Sequence, residues 1–100
     1  MKLYKLTDEK DQTFGGCQWG ENVTHKADGK GELCTEHWIH AYTDPILAVL
    51  MNPIHGNYDT DAGHMWECEG KIGIDDKGRK VGCKKLATVK RIDMPKVTTE

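Results

Sequence analysis

Apolar residues alternate with polar ones at several points along the chain, and the alternation predicts strands. Lys2-Leu3-Tyr4-Lys5-Leu6 reads as a short first strand, closed by the polar turn Thr7-Asp8-Glu9-Lys10-Asp11-Gln12. Residues 13–20 read as the return strand of a hairpin, with Gly15 and Gly16 marking a bulge or a close backbone approach. Residues 21–31 are polar, with Gly29 and Gly31 flanking Lys30, and predict a loop. From His64 to Ile74, Trp66, Cys68, Ile72 and Ile74 fall on one face, with Glu67, Glu69 and Lys71 on the other. Asp75-Asp76-Lys77-Gly78 turns the chain into a strand over 79–83, and Leu86, Val89, Ile92 and Met94 anchor a last strand over 84–94.

One segment has a different period. Asp44 is placed to cap a helix whose first residue is Pro45, and Pro53 ends it after Asn52. Ile46, Leu47, Val49, Leu50 and Met51 make nearly every face apolar, which predicts burial at the centre of the core. The expected fold class is therefore α+β, a small, mostly antiparallel β-sheet packed on one central buried helix at about residues 44–52. Residues 52–63 read as an irregular surface loop, and Asp59-Thr60-Asp61 lacks the glutamate that a calcium loop needs at its twelfth position.

The chain has 100 residues, 37% of them hydrophobic, which predicts a single domain over 1–100 with 95–100 as a flexible tail. The longest apolar run, residues 46–51, is far short of the roughly 20 residues of a membrane span. The first residues turn acidic before any long apolar stretch, unlike a secretory signal, so a cytoplasmic protein with no membrane partner is expected.

A net charge of −2 argues against general nucleic-acid binding, but it conceals a polarity. Through Gly70 there are five basic and twelve acidic residues; the last thirty residues hold nine basic and four acidic. Lys77, Arg79, Lys80, Lys84, Lys85, Lys90 and Arg91 form a candidate basic ridge for an acidic protein face or a phosphate group. Trp38, if exposed, would anchor the same interface.

Serine is absent, which excludes Ser/His/Asp catalysis. Cys17, Cys34, Cys68 and Cys83 form no Cys-x-x-Cys pair and read as free thiols, with nothing to mark Cys34 or Cys83 as a nucleophile. Cys34, His40, His64 and Cys68 offer a Cys2His2 donor set, the basis of a zinc-stabilised interaction module; no other cofactor is expected.

Three segments carry a resemblance. They are Lys2 to Leu6, the run Leu33-Cys34 to Trp38-Ile39-His40-Ala41-Tyr42-Thr43-Asp44-Pro45, and Met65-Trp66-Glu67-Cys68-Glu69-Gly70 with Val81-Gly82-Cys83-Lys84-Lys85-Leu86. Together they resemble an uncharacterised small-domain family of bacteriophages and bacteria, in which an "LC…GLHA" segment precedes a helix and a "WE-x-EG" strand. That resemblance implies an accessory binding protein acting in the cytoplasm of an infected cell. It would inhibit or redirect a host protein or protein–nucleic acid complex, as anti-CRISPR-type inhibitors do, and a homodimer through a strand edge or helix face is compatible with it. The order of elements is also loosely similar to ADP-ribosyltransferase-like folds. That similarity implies an enzyme or nucleotide-binding protein in which His40 holds a ribose, Tyr42 orients the cofactor and Glu67 or Glu69 stabilises an oxocarbenium-like transition state.

Overall fold

A computed structural model describes residues 2–13, 16–30, 38–50, 62–76 and 80–95. Among the described residues, nine strands and one short helix run in the order β1 (Lys2–Thr7), β2 (Gln12–Thr13), β3 (Cys17–Gln18), β4 (Val23–Lys26), β5 (Ile39–Tyr42), α1 (Pro45–Leu50), β6 (His64–Gly70), β7 (Ile74–Asp76), β8 (Lys80–Cys83) and β9 (Lys85–Ile92). Seven strands form one sheet in the order β4-β9-β6-β1-β5-β8-β7, with every neighbouring pair antiparallel. β2 and β3 form a separate two-stranded ribbon.

Lys84 alone separates β8 from β9, yet β8 pairs with β5 and β9 with β6, on opposite flanks of β1. One continuous segment therefore joins both sides of the sheet, and the sheet must curl to accommodate it, as in a partly closed barrel. The approach is close where β6 ends. A methyl group built on Gly70 would stand 2.8 Å from Leu86 Cδ1 and 3.5 Å from Cys83 Sγ. Val89 is the extra residue of a bulge in β9, since Glu67 opposes Lys90 while Cys68 opposes Thr88; such bulges increase local twist.

The concave face carries Leu3, Ala41, Trp66, Cys68, Val81, Cys83 and Leu86, all buried, and Trp19 folds over them from the end of β3. Thr88 Oγ1 accepts from Gly20 N–H at 3.2 Å and donates to the Gly20 carbonyl at 2.5 Å, which holds this lid segment against β9. A second cluster lies on the convex face, where Leu6, Tyr42 and Met65 meet Ala48 of α1.

The α+β reading with a buried central helix is corrected here: this is a mostly antiparallel β protein. Asp44 does cap α1, accepting from Ile46 N–H at 2.8 Å. The helix has only six residues, of which Ala48 alone is buried, while Ile46 and Leu50 stay 46% and 52% exposed. It is a patch on the convex face, because the curled sheet makes its own core. The region expected as a loop over 21–31 contains β4, whose four residues are recruited by pairing with β9. The expected loop over 52–63 and the tail over 95–100 lie outside the described residues except at their margins, Ala62, Gly63 and Pro95. Among the described residues no helix is long and apolar enough to cross a membrane.

Candidate functional site

Alternation along the strands sorts the candidate residues onto two faces. Tyr4 pairs with Tyr42 on one side and with Glu67 on the other, so these three share the convex face, and His40 joins them two residues from Tyr42. His40 and Tyr42 are thus neighbours, but Glu67 is two strands from Tyr42, about 10 Å away at ordinary strand spacing. The Glu67 carboxylate is engaged by Lys2 Nζ at 3.3 Å and Lys90 Nζ at 3.9 Å, and its hydrogen bond and then its charge raise the Lys2 pKa. Glu69 is exposed further along β6.

The proposed zinc donors do not converge. Cys68 and His64 share the concave side of β6, as their spacing predicts, but His40 lies on the convex side of β5, and Cys34 is outside the described residues. His64 is committed elsewhere: its Nδ1 lies 2.6 Å from Asp11 Oδ1, which also accepts from Trp66 Nε1 at 2.9 Å. Arg91 Nη1 stands 3.1 Å from His64 Nε2. With Nδ1–H donating to the carboxylate, Nε2 is left as acceptor for the guanidinium.

The basic ridge divides into parts. Lys80 is buried, Lys90 faces Glu67, Arg91 faces His64, and Lys77 and Arg79 lie outside the described residues. Trp38 is buried, its ring lying over Gly73 so closely that a methyl group there would come within 2.5 Å of Cζ3. Lys84 and Lys85 remain exposed, and they flank a groove of about 740 Å³ on the convex side, floored by Thr24, Ala87, Gly70 and Gly73. Lys71 lines the same groove, together with Glu69.

Two features make this groove more than a collection of surface charges. Lys26 sits directly opposite Lys85 in the β4–β9 ladder, a like-charge pairing that destabilises a sheet. The Lys84 stem lies against the backbone at Gly29, where φ is +68° and a methyl group would come within 2.4 Å of Lys84 Cγ and Cε; Ala27 N–H donates to the Lys84 carbonyl at 2.7 Å. Among the described residues Lys26, Lys84 and Lys85 form no ion pair.

The concave face holds a group that sequence reasoning overlooked. Lys5 opposes Trp66, its Nζ donates to the His40 carbonyl at 2.5 Å and stands 5.5 Å from the Trp19 ring centroid. The residue as a whole is half-buried, but its amine end is desolvated, and burial pushes its pKa down to about 8 against the opposing pull of Cys68, Cys17 and Cys83. Burial likewise pushes the Cys68 thiol up to about 12 and raises that of Cys83. Nothing in Lys2-Leu3-Tyr4-Lys5-Leu6 marks the Lys5 amine for desolvation; its tertiary surroundings, with Trp19 among them, do so.

Fold and site together define a small antiparallel β protein, curled around a packed interior that holds an amine and thiols, with a lysine-lined groove outside. The chain belongs to the family described as a domain of unknown function, DUF7666, whose model matches residues 1–100. Neither the curated proteins nor the solved structures provide a match.

Proposed function

We propose that this domain is a non-enzymatic binding module whose convex groove takes an acidic face of a partner protein. The observation that carries the reading is the facing pair Lys26 and Lys85, flanked by Lys84 and Lys71, with no ion pair to the first three among the described residues. A like-charge pair is a standing cost in the free protein, and an acidic partner would offset it on binding. Glu69 in the groove calls for a partner that breaks its own negative charge with a hydrogen-bond donor or a cation at that point, which a protein face can supply and a uniform polyphosphate backbone cannot. The resemblance to a bacteriophage and bacterial family extends the proposal to a role: inhibiting or redirecting a host factor, of the anti-defence kind, in the host cytoplasm.

The test uses a decaglutamate peptide and a short DNA duplex as probes in NMR titrations. The peptide is expected to shift the amides of Lys26, Lys71, Lys84 and Lys85, with binding weakened at least about tenfold in K84E/K85E and falling with salt. Tighter binding to the duplex, or peptide binding unchanged by the double reversal, would overturn the reading.

A further inference from the structure

We propose that the acidic partner docks as an extended segment, added to the sheet as an antiparallel strand beside β4, with acidic and apolar side chains alternating along it. The proposal rests on the groove reading and specifies the form of its partner. β4 is the outermost strand at one end of the sheet, and among the described residues its backbone is bonded on one side only, to β9. Ala27 N–H donates to the Lys84 carbonyl at 2.7 Å, which fixes the phase of this ladder. Alternate residues behave alike, so His25 and Val23 also turn their backbone groups toward β9, while Lys26 and Thr24 turn theirs outward. Lys26 and Thr24 thus present main-chain donors and acceptors to an incoming strand.

The same two residues carry their side chains on the convex face, with the groove. Lys26 opposes Lys85, and Thr24 opposes Ala87, in non-hydrogen-bonded pairs, the closer of the two pair types in an antiparallel ladder. The repulsion between the lysines therefore acts at short range. A carboxylate directly opposite Lys26 on an added strand would lie beside this pair and offset it. Residues opposite Lys26 and Thr24 share their face, so an acidic side chain suits both positions. The residue between them falls opposite His25 on the concave side, where Val23 and His25 are only half-buried, and an apolar side chain there would cover them. Main-chain bonds then supply affinity, and the alternation supplies selectivity. Charge also decides what is refused. β7, the outermost strand at the other end, contains the exposed Asp75 and disfavours an acidic neighbour. A second copy adding through β4 would bring its own Lys26 to these lysines, and edge lysines of this kind bar self-pairing.

The experiment titrates the full chain, by NMR, with two peptides of about eight residues in which glutamate and valine alternate. One is N-methylated at its valines, the other at its glutamates. Their charges are equal, so their attraction to the lysines is the same. In the antiparallel pairing the glutamate amides point at β4 and the valine amides point away. The valine-methylated peptide is expected to bind and to slow hydrogen exchange of the Thr24 and Lys26 amides by at least about tenfold. The glutamate-methylated peptide is expected to bind at least about tenfold more weakly and to protect neither amide. Equal or reversed affinities, or shifts at Lys71, Lys84 and Lys85 without protection of Thr24 and Lys26, would overturn strand addition and leave the groove reading in place. Peptides that move none of these lysines would overturn both.

Discussion

Asp11→Ala is expected to lower the unfolding free energy by about 3 kcal/mol, a large part of the roughly 5–15 kcal/mol that holds a domain of this kind together. One carboxylate oxygen, Asp11 Oδ1, accepts from the indole N–H of Trp66 and from His64. Trp66 is 5% exposed, so its N–H cannot turn to bulk water, and an orphaned buried donor costs about 1–3 kcal/mol. Asp11 also sits at φ +60°, a left-handed conformation that aspartate and asparagine tolerate and that costs alanine about 1 kcal/mol. Its carbonyl accepts from Trp19 N–H at 2.8 Å, so a shift of this backbone would be felt at the lid as well. Asp11→Asn keeps both the acceptor oxygen and the tolerated backbone, and about 1 kcal/mol is expected to be lost. Urea unfolding of the two variants checks the argument; equal losses would show that the carboxylate's acceptor role is not what matters.

The same residue illustrates what the sequence makes legible. Asp11 falls in a polar turn, and its partners His64 and Trp66 lie 53 and 55 positions away, so local pattern carries no trace of the network. Local signals were reliable where the cause was local: the Asp44 cap ahead of Pro45 and the alternation of β6 both stand in the structure. The misreading of α1 has a physical source. An apolar segment of six residues looks like a core helix, but burial also requires something to cover every face, and the curled sheet offers only one side. The curl itself depends on Lys84 being the single residue between two strands that pair with different partners. Val23-Thr24-His25-Lys26 contains one apolar residue and becomes a strand because β9 has an edge to fill. Of the candidate site, Lys84 and Lys85 were readable from charge; Lys26 and Lys71 join them only through register and curl.

The interior amine leads to the second large effect, an unusual dependence of stability on pH. The Lys5 ammonium titrates at about 8 in the folded chain against an ordinary value of 10.5, a difference worth up to about 3 kcal/mol. Between those values the unfolded chain holds a proton that the folded chain has released, so stability rises with pH, beginning near 8. Cys68 and Cys83 act in the opposite sense. Their unfolded thiols ionise from about 9, while burial keeps the folded thiols protonated to higher pH, about 12 for Cys68. Two such groups outweigh one amine, and stability falls again above about pH 9. Lys5 alone therefore adds about 1 kcal/mol from pH 8 to 9, the cysteines cut the net climb to a few tenths of a kcal/mol, and the profile then declines. Lys5→Met keeps the stem in the core and removes the amine, at the cost of about 1 kcal/mol for the lost bond to the His40 carbonyl. At pH 7 the variant should be about 2 kcal/mol more stable than the unmutated protein, and its profile should fall above pH 9 without the preceding climb. Urea unfolding at pH 7, 8, 9 and 10 measures both curves. Identical slopes from pH 8 to 9 would mean that the Lys5 ammonium is solvated in the folded chain.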